Sequence, residues 1–295
     1  MSTQFTDKTV IISGGAGGIG LALAKEFGAH GMNVVIADID QVQLDVAEQS
    51  LSNSDIKVLA CPLDVTNFDQ WKEVVSSAKE RFGKVHMLIN NAGVGGVPST
   101  LEESNHDAWR WVVDVNLMGV VFGAQAAIPA LKEHGEGGWI INVASMAGME
   151  GMPYADAYCA TKAAVVSLSE SWAGELKSSG IHVSALCPAF VKTQIHQSHR
   201  NMQDKYKAGL KTSTASKGSS AASAGAAAMV EAGIPTELLA KRVVEGIVSK
   251  QRYIFTHPNY GKAVTAKSAR LEAAFANAEA STLVGHLMDE DVAML

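Results

Sequence analysis

Six times between Val10 and Leu186 a short apolar run gives way to a stretch with helical spacing, with only a few residues at each change. The runs are Val10–Ser13, Asn33–Ala37, Ile56–Cys61, Val85–Ile89, Trp139–Ala144 and Ile181–Leu186, and Arg252–Thr256 reads as a seventh. Strands joined through helices pair in parallel, and a parallel sheet is covered on both faces. The alternation therefore predicts an α/β chain: a doubly wound parallel sheet of about seven strands, helices on both faces, and a helical extension at the C-terminus. Ligands of such sheets sit beyond the strand C-termini. Gly14, Asp38, Asn90, Ser145 and Pro188 each fall just after a strand, so the fold is expected to gather them at one edge.

The first turn after a strand reads Ser13-Gly-Gly-Ala-Gly-Gly-Ile-Gly20, and helical spacing follows directly. Glycines let backbone approach a pyrophosphate, and the helix N-terminus offers free N–H groups and the positive end of its dipole. A glycine-rich turn without a ligand would look the same. The second strand ends at Asp38, about 20 residues beyond the turn, where a ribose 2′-hydroxyl would be held in a Rossmann-type sheet. A carboxylate there accepts from the diol of NAD and repels the 2′-phosphate of NADP. No Arg or Lys stands in Ser13–Gly20 or directly after Asp38, so NAD is the expected cofactor. Asp64-Val65 closes the third strand, and Asp64 either faces the adenine edge or caps the next helix. Asn90-Asn-Ala-Gly93 closes the fourth. Its asparagines can bridge backbone groups between strands, and small residues at Ala92 and Gly93 leave room for a cofactor.

Tyr158 and Lys162 stand four apart on an expected helix from Asp156 to Ser178, so they share a face. Ser145 ends the strand before it. A phenol ordinarily ionises near pH ~10; an ammonium one turn away is expected to lower that value. Hydroxyl, phenol and ammonium together suit general acid/base work. Asn116 lies in a helical run from Asp107 to Leu131, where an amide in apolar company needs partners or marks a kink. Met146, Met149, Met152, Phe190 and Val94–Val97 are expected to form an adaptable apolar wall for a bulky substrate, although each methionine would serve equally as core.

Other readings narrow by exclusion. A net charge of −6, 24 basic against 30 acidic residues, argues against a nucleic-acid or anionic-membrane surface. No apolar run reaches spanning length and no leader pattern opens the chain. Three scattered cysteines suit a reducing compartment, and the cytoplasm is expected. No metal-ligand spacing is evident among the nine histidines. Residues 1–295 read as one catalytic domain. An insertion at 194–233, rich in Ser, Ala, Lys and Gly, is too long for an ordinary connection and is expected to be a substrate lid rather than a surface insertion. An extension at 260–295 carries an apolar face (Leu271, Phe275, Leu287) suited to a neighbouring subunit.

Taken together, the motifs resemble the short-chain dehydrogenase/reductase family in its shorter single-domain branch, from about Lys8 to His257. Ser13-Gly14, Gly18-Ile19-Gly20, Asn90–Gly93, the set Asn116, Ser145, Tyr158 and Lys162, and Pro188-Ala-Phe-Val-Lys-Thr193 occur in order and in register. Ser13 replaces the usual Thr, and Ala189 a usual Gly. The lid and tail are similar to a subgroup that includes Cα-dehydrogenases of lignin-type aryl ethers. The resemblance implies roles: Tyr158 as acid/base, Lys162 also on the nicotinamide ribose, Ser145 on the substrate oxygen, and Asn116 ordering a relay water. Ser13, Gly14, Gly18, Ile19, Gly20, Asp38, Asp64, Val65, Asn91, Ala92, Gly93 and Pro188 would line the cofactor, with Val191 and Thr193 at its carboxamide. It also implies interconversion of a bulky secondary alcohol, aryl or alicyclic, and its ketone, by a homodimer or homotetramer. A hydroxysteroid dehydrogenase, a silent NAD-binding scaffold and a sugar-nucleotide epimerase are the competing readings; retention of Tyr158 and Lys162 disfavours the scaffold, and the glycine spacing disfavours the epimerase.

Overall fold

A computed structural model describes residues 4–207 and 217–290. Seven strands, β1 Thr9–Ser13, β2 Asn33–Asp38, β3 Val58–Pro62, β4 Met87–Asn90, β5 Gly138–Val143, β6 Ile181–Cys187 and β7 Tyr253–Phe255, form one sheet. Its order is β3-β2-β1-β4-β5-β6-β7 and every pairing is parallel. The doubly wound sheet expected from the alternation is therefore present.

Alternate side chains of each strand serve opposite faces. Val10, Ile12, Val34, Ile36, Met87 and Ile89 face one core with α1 (Gly18–Ala29), α2 (Gln41–Ser52) and α8 (Thr236–Val248). Ile11, Val35, Ala37, Leu88 and Ile140 face the other, with Trp71 of α3 (Phe68–Phe82), Trp111 of α4 (His106–Val113) and Leu131 of α5 (Gly119–Glu133). Being buried on both faces, the strands read as continuous apolar runs. α6 spans Asp156–Glu175 and α7 spans Lys217–Glu231.

The run from His106 to Glu133 is long and apolar enough to cross a membrane by length and composition, a feature that the eye for unbroken apolar runs overlooks. Its most apolar window is half buried inside the fold, where α4 and α5 pack on the sheet. Nor is it one regular helix: Asp114–Met118 forms a π-turn between α4 and α5, with Asn116 at its centre.

The chain divides into two compact units, Met1–Thr256 and His257–Leu295. The second consists of a 3-10 turn, α9 (Gly261–Glu279) and a further 3-10 turn at Gly285–Asp289. No α9 residue is buried, and Leu271, Phe275, Leu283 and Leu287 are exposed. In the expected lid, Ile195–Asn201 and Asp204–Tyr206 are 3-10 turns and α7 follows; its residues 208–216 lie outside the described residues, as do 291–295 of the tail.

At the opposite sheet edge from the strand C-termini, His86, His134 and Glu136 bring three potential ligand atoms within 4.8 Å. Their lone pairs are already engaged. The Thr9 N–H donates to His86 Nδ1 at 3.0 Å and the Glu136 N–H to His134 Nδ1 at 3.2 Å. His134 Nε2 lies 2.8 Å from the Val85 carbonyl, and Glu136 pairs with Lys84 and Lys8. The trio is a hydrogen-bonded strut. Burial, aided by Lys8 and His134, pushes His86 down to about 4. The unfolded chain therefore binds a proton at His86 that the folded chain refuses between pH ~6.5 and about 4. This contribution to stability is complete above that window and is lost as pH falls through it. The Lys84 hydrogen bond holds Glu136 down at about 2, so its contribution is lost lower, between its ordinary value of 4.5 and about 2. A His86→Asn protein should show a shallower fall in unfolding free energy from pH 6.5 to 4.5 than the wild type, by at most about 1.4 kcal/mol per pH unit; parallel profiles would show that His86 is not the responsible group.

Candidate active site

The crevice opens where the chain's crossovers change direction, between β1 and β4. Ser13 and Asn91 tie this junction. The Ser13 hydroxyl accepts from the Asn91 and Ala92 N–H groups, each at 3.1 Å. The Asn91 amide donates to the carbonyls of Ser13 at 2.9 Å and Gly14 at 3.0 Å. These two polar groups thus hold the floor of the crevice rather than facing into it. Gly20 is required by the same packing, since a Cβ there would lie 2.1 Å from the Gly14 carbonyl oxygen.

The glycine turn is shaped for an anion. Gly17 stands at the N-cap of α1 with extended backbone and no side-chain cap. A Cβ on Gly17 would meet nothing within 4 Å, so space lies in front of uncapped N–H groups. Asp38 stands beside it. Its carboxylate accepts from the N–H groups of Ala16 and Asp40, both at 3.1 Å. Burial raises its pKa and these bonds partly offset that. The Ile39 N–H also bonds this carboxylate. The uncapped turn and the adjoining carboxylate therefore fit the pyrophosphate and a ribose of a dinucleotide.

Asp64 does not cap α3; Asn67 does, accepting from the Asp69 and Gln70 N–H groups. Asp64 Oδ1 instead accepts from the Thr66 N–H at 2.9 Å and the Thr66 hydroxyl at 2.8 Å. Val65 beside it is buried, and Ile19 packs on the core below the turn. Pro188 uses its carbonyl on the Met146 N–H at 2.8 Å. Val191 is buried in a bridge to Ile234. The Thr193 side chain lies 3.4 Å from the position of a Cβ on Gly18.

The proposed proton-transfer group assembles on α6 and the turn after β5. A Cβ on Gly148 would lie 2.6 Å from the Lys162 carbonyl oxygen, so glycine lets the 3-10 turn Met146–Gly148 rest on α6. Ser145 accepts from the Ala147 N–H at 3.1 Å, and its hydroxyl is within reach of the Tyr158 phenol. Lys162 is buried, donates to the Val143 carbonyl at 2.7 Å and lies 5.7 Å from the centre of the Tyr158 ring. Burial pushes Lys162 down to about 8. Burial also raises Tyr158 above the usual phenol value, with the Ser145 hydrogen bond opposing. The expected lowering of Tyr158 by Lys162 does not enter: the ammonium lies over the ring, 5.7 Å from its centre, and desolvation of the phenol sets the direction, opposed only by the Ser145 hydrogen bond.

Asn116 has no exposure. It accepts from the Val94 N–H at 2.8 Å and donates to the Val94 carbonyl at 2.9 Å. It is at once a satisfied core amide and part of a kink, and it fastens the loop after β4. A Cβ on Gly93 would lie 3.4 Å from Asn116 Oδ1 and 3.5 Å from Lys162 Nζ. Asn116, Lys162 and Gly93 therefore meet at one point. Asn90 donates to Asn142 at 2.9 Å, and Asn142 donates to Ser169 of α6 at 3.0 Å, which ties the strand ends to the helix carrying Tyr158 and Lys162.

A cleft leading to Tyr158 is lined by Gly95–Val97, Trp109, Val112 and Tyr154, with Ser99, Ser104, Asn105 and Asp156 as polar members. Trp109, Asn105 and Tyr154 were not among the expected substrate residues. Their signal is spatial: the N-termini of α4 and α6 converge there. Of the expected wall, Met146 is buried, Phe190 half-buried and Met152 exposed. Replacing Gly93 with Val should crowd Asn116 and Lys162 together and lower kcat about 100-fold, with cofactor affinity changed less; steady-state kinetics beside calorimetric titration would check this, and unaltered kcat would separate this point from the chemistry.

Residues 8–204 match the family model described as short chain dehydrogenase. A short-chain dehydrogenase/reductase of Burkholderia phymatum, solved in complex with NAD, superposes with a TM-score of 0.88 at 33% identity, covering 92% of this chain and 96% of that one. The apo form of LigO from Sphingobium sp. strain SYK-6 superposes with a TM-score of 0.79 at 27% identity over 100% of both chains. A 3-alpha-(or 20-beta)-hydroxysteroid dehydrogenase of Mycobacterium tuberculosis is 38% identical over 193 residues, 65% of this chain and 72% of that protein.

Proposed function

The chain belongs to the short-chain dehydrogenase family, and we propose that it is an NAD-dependent dehydrogenase of a bulky, mostly apolar secondary alcohol, aryl or alicyclic. The observation that carries this reading is the Tyr158 phenol standing at the end of a cleft beside Ser145 and above Lys162. In oxidation, Tyr158 accepts the alcohol's proton while Ser145 holds the same oxygen, and in reduction Tyr158 returns it. Bound NAD supplies the hydride acceptor. Lys162, held by the Val143 carbonyl, is also placed to steady the nicotinamide ribose, and Asn116 keeps the Val94 loop in position.

NAD is preferred over NADP because Asp38 stands where a 2′-phosphate would lie; the Burkholderia phymatum structure with NAD supports this preference. For the substrate, Val97, Trp109, Val112 and Tyr154 favour a flat or alicyclic body. A hydroxysteroid is the second reading, supported by the mycobacterial relative. The reading includes a homodimer or homotetramer in the cytoplasm, which the three free, buried cysteines suit.

An alcohol panel spanning aryl, steroid and aliphatic substrates, followed by NADH absorbance, should show turnover with the first two classes. Tyr158→Phe should keep calorimetric NAD binding and lose about 1,000-fold or more in kcat; retained turnover would remove Tyr158 from the mechanism. Because burial raises the phenol, oxidation should climb with pH without levelling below its ordinary value of 10, and a plateau near neutrality would contradict that direction. Asp38→Ala should raise the ratio of kcat/KM for NADP to that for NAD by about tenfold or more, and a wild type that prefers NADP would overturn the role given to Asp38.

A further inference from the structure

The segment after β6 passes over the C-terminal edge of the sheet. Thr193 lies against Gly18, and the Ile195 carbonyl oxygen lies 3.4 Å from the position of a Cβ on Gly95. The Gly95 N–H donates to Ser198 at 3.1 Å. The segment then ends in the 3-10 turn Asp204–Tyr206, which packs on α4. Tyr206 is buried, in the same core cluster as Trp111, Val112 and Val115. Packing accounts for its ring, and Phe would pack as well. Its hydroxyl needs another explanation. It donates to Asp114 Oδ2 at 2.6 Å, a short bond of the charge-assisted kind. Burial, with the Asp114 carboxylate adding to it, raises the phenol, so the hydroxyl stays a donor through the range in which an enzyme works.

Asp114 opens the π-turn Asp114–Met118. Its own carbonyl accepts from the Gly119 N–H, the five-residue step that defines such a turn. Turns of this kind are rare and lack the regular helical ladder, so contacts from outside the helix must hold one. The extra residue rotates α4 against α5 by about 100°, which decides where Asn116 points. Both ends of the Asn116 amide bond the Val94 backbone, and its nitrogen also reaches the Thr161 hydroxyl at 3.4 Å. Thr161 in turn donates to the Tyr158 carbonyl at 2.9 Å. Contacts thus run without a break from the Tyr206 hydroxyl through the π-turn to α6 at Tyr158. Packing fixes the far end of the turn, since a Cβ on Gly119 would lie 2.8 Å from Val65 Cγ2. Tyr206 fixes the Asp114 end.

We infer that Tyr206 is a positioning residue for the proton-transfer group: its hydroxyl holds Asp114, and with it the π-turn, in the geometry that fastens Asn116 to the Val94 loop. The inference rests on the proposed roles of Tyr158 and Lys162. Tyr206 acts through Asp114 and Asn116, not on the reacting atoms. The segment lying over the sheet edge therefore also sets the point where Gly93, Asn116 and Lys162 meet.

Hydrogen exchange followed by mass spectrometry reads the turn without turnover. Tyr206→Phe keeps the ring in the core and removes the hydroxyl. It should speed exchange about tenfold in peptides covering residues 92–96 and 114–119, and leave β1 and β5 unchanged. Kinetics use NAD with 1-phenylethanol, or with a panel alcohol that wild type turns over. In Tyr206→Phe kcat should fall about tenfold, with KM and calorimetric NAD affinity within about twofold. Lys205→Ala, which frees the neighbouring anchor to Thr66, should leave all these readings within about twofold. Asp114→Asn keeps an acceptor for the phenol and should retain most of kcat. Asp114→Ala should lose it, and adding Tyr206→Phe to Asp114→Ala should cost nothing further. Unchanged exchange and kcat in Tyr206→Phe, additive losses in the double variant, or an equal loss in Lys205→Ala would overturn the inference and leave the dehydrogenase reading intact. If wild type oxidises no alcohol, the dehydrogenase reading falls, and exchange alone decides whether Tyr206 holds the turn. Should Tyr206→Phe not fold, Asp114→Ala reads the same two peptides from the other partner.

Discussion

The junction of β1 and β4 is the constraint on which the site depends. In a sheet of order β3-β2-β1-β4 the chain must leave β1 toward one side and reach β4 from the other, so the two strand ends diverge and open a crevice. A crevice alone would not be a site. Asn91 and Ala92 donate four hydrogen bonds across it to Ser13 and Gly14, which sets the distance between the glycine turn and the Ala92-Gly93 backbone. Ligand space on one side and the point where Gly93 meets Asn116 and Lys162 on the other are both measured from that tie. Loss of the Ser13 hydroxyl would thus disturb cofactor seat and proton-transfer group together, although it touches neither.

The electrostatics of the proton-transfer group follow from burial. Desolvation moves an ammonium down and a phenol up. Lys162 falls to about 8 while Tyr158 rises above its ordinary value. Each move favours the neutral form, and each works against holding charge in a dry site. The Val143 carbonyl compensates Lys162 in part, because a backbone acceptor at 2.7 Å stabilises the ammonium without a counter-charge. Lys162 has no carboxylate partner among the described residues, which is useful chemically: a paired Lys162 would be fixed as a cation, whereas a desolvated one titrates nearer the range in which an enzyme works.

Much of this was readable from residue order because parallel strands buried on both faces leave continuous apolar runs, and because each chemistry-bearing residue follows such a run. Asp38, Ser145 and the glycine turn are local signals. What escaped reading is non-local or breaks no pattern. The π-turn at Asp114–Met118 leaves the helical spacing of Asp107–Leu131 undisturbed, since one extra residue per turn moves side chains without changing which are apolar. His86 and Glu136 are fifty residues apart and meet only because β4 and β5 are neighbours. Ser13 matched a cofactor motif, yet its hydroxyl faces the β4 loop. Asp64 had two open roles, and helix capping passed to Asn67 because the cap must sit immediately before α3.

The segment Ile195–Tyr206 shows the same lesson at greater range. Its composition is polar and its turns are short, which reads as a loose connection. Two of its residues nevertheless enter the core: Met202 and Tyr206 pack with Trp111 and Val112. A loop anchored by buried side chains loses its conformational freedom when the domain folds, not when a ligand arrives. Any polar group it carries over the crevice is therefore set in advance, and the Gln203–Asp64 pair is held by contacts 92 to 139 residues distant in the chain. Ordering of this kind favours geometric selectivity over adaptability, and it contrasts with the mouth of the cleft beside Tyr158, where Val97 and Met152 stand exposed. The fold thus sets a segment anchored by buried side chains beside a cleft whose rim is open to solvent.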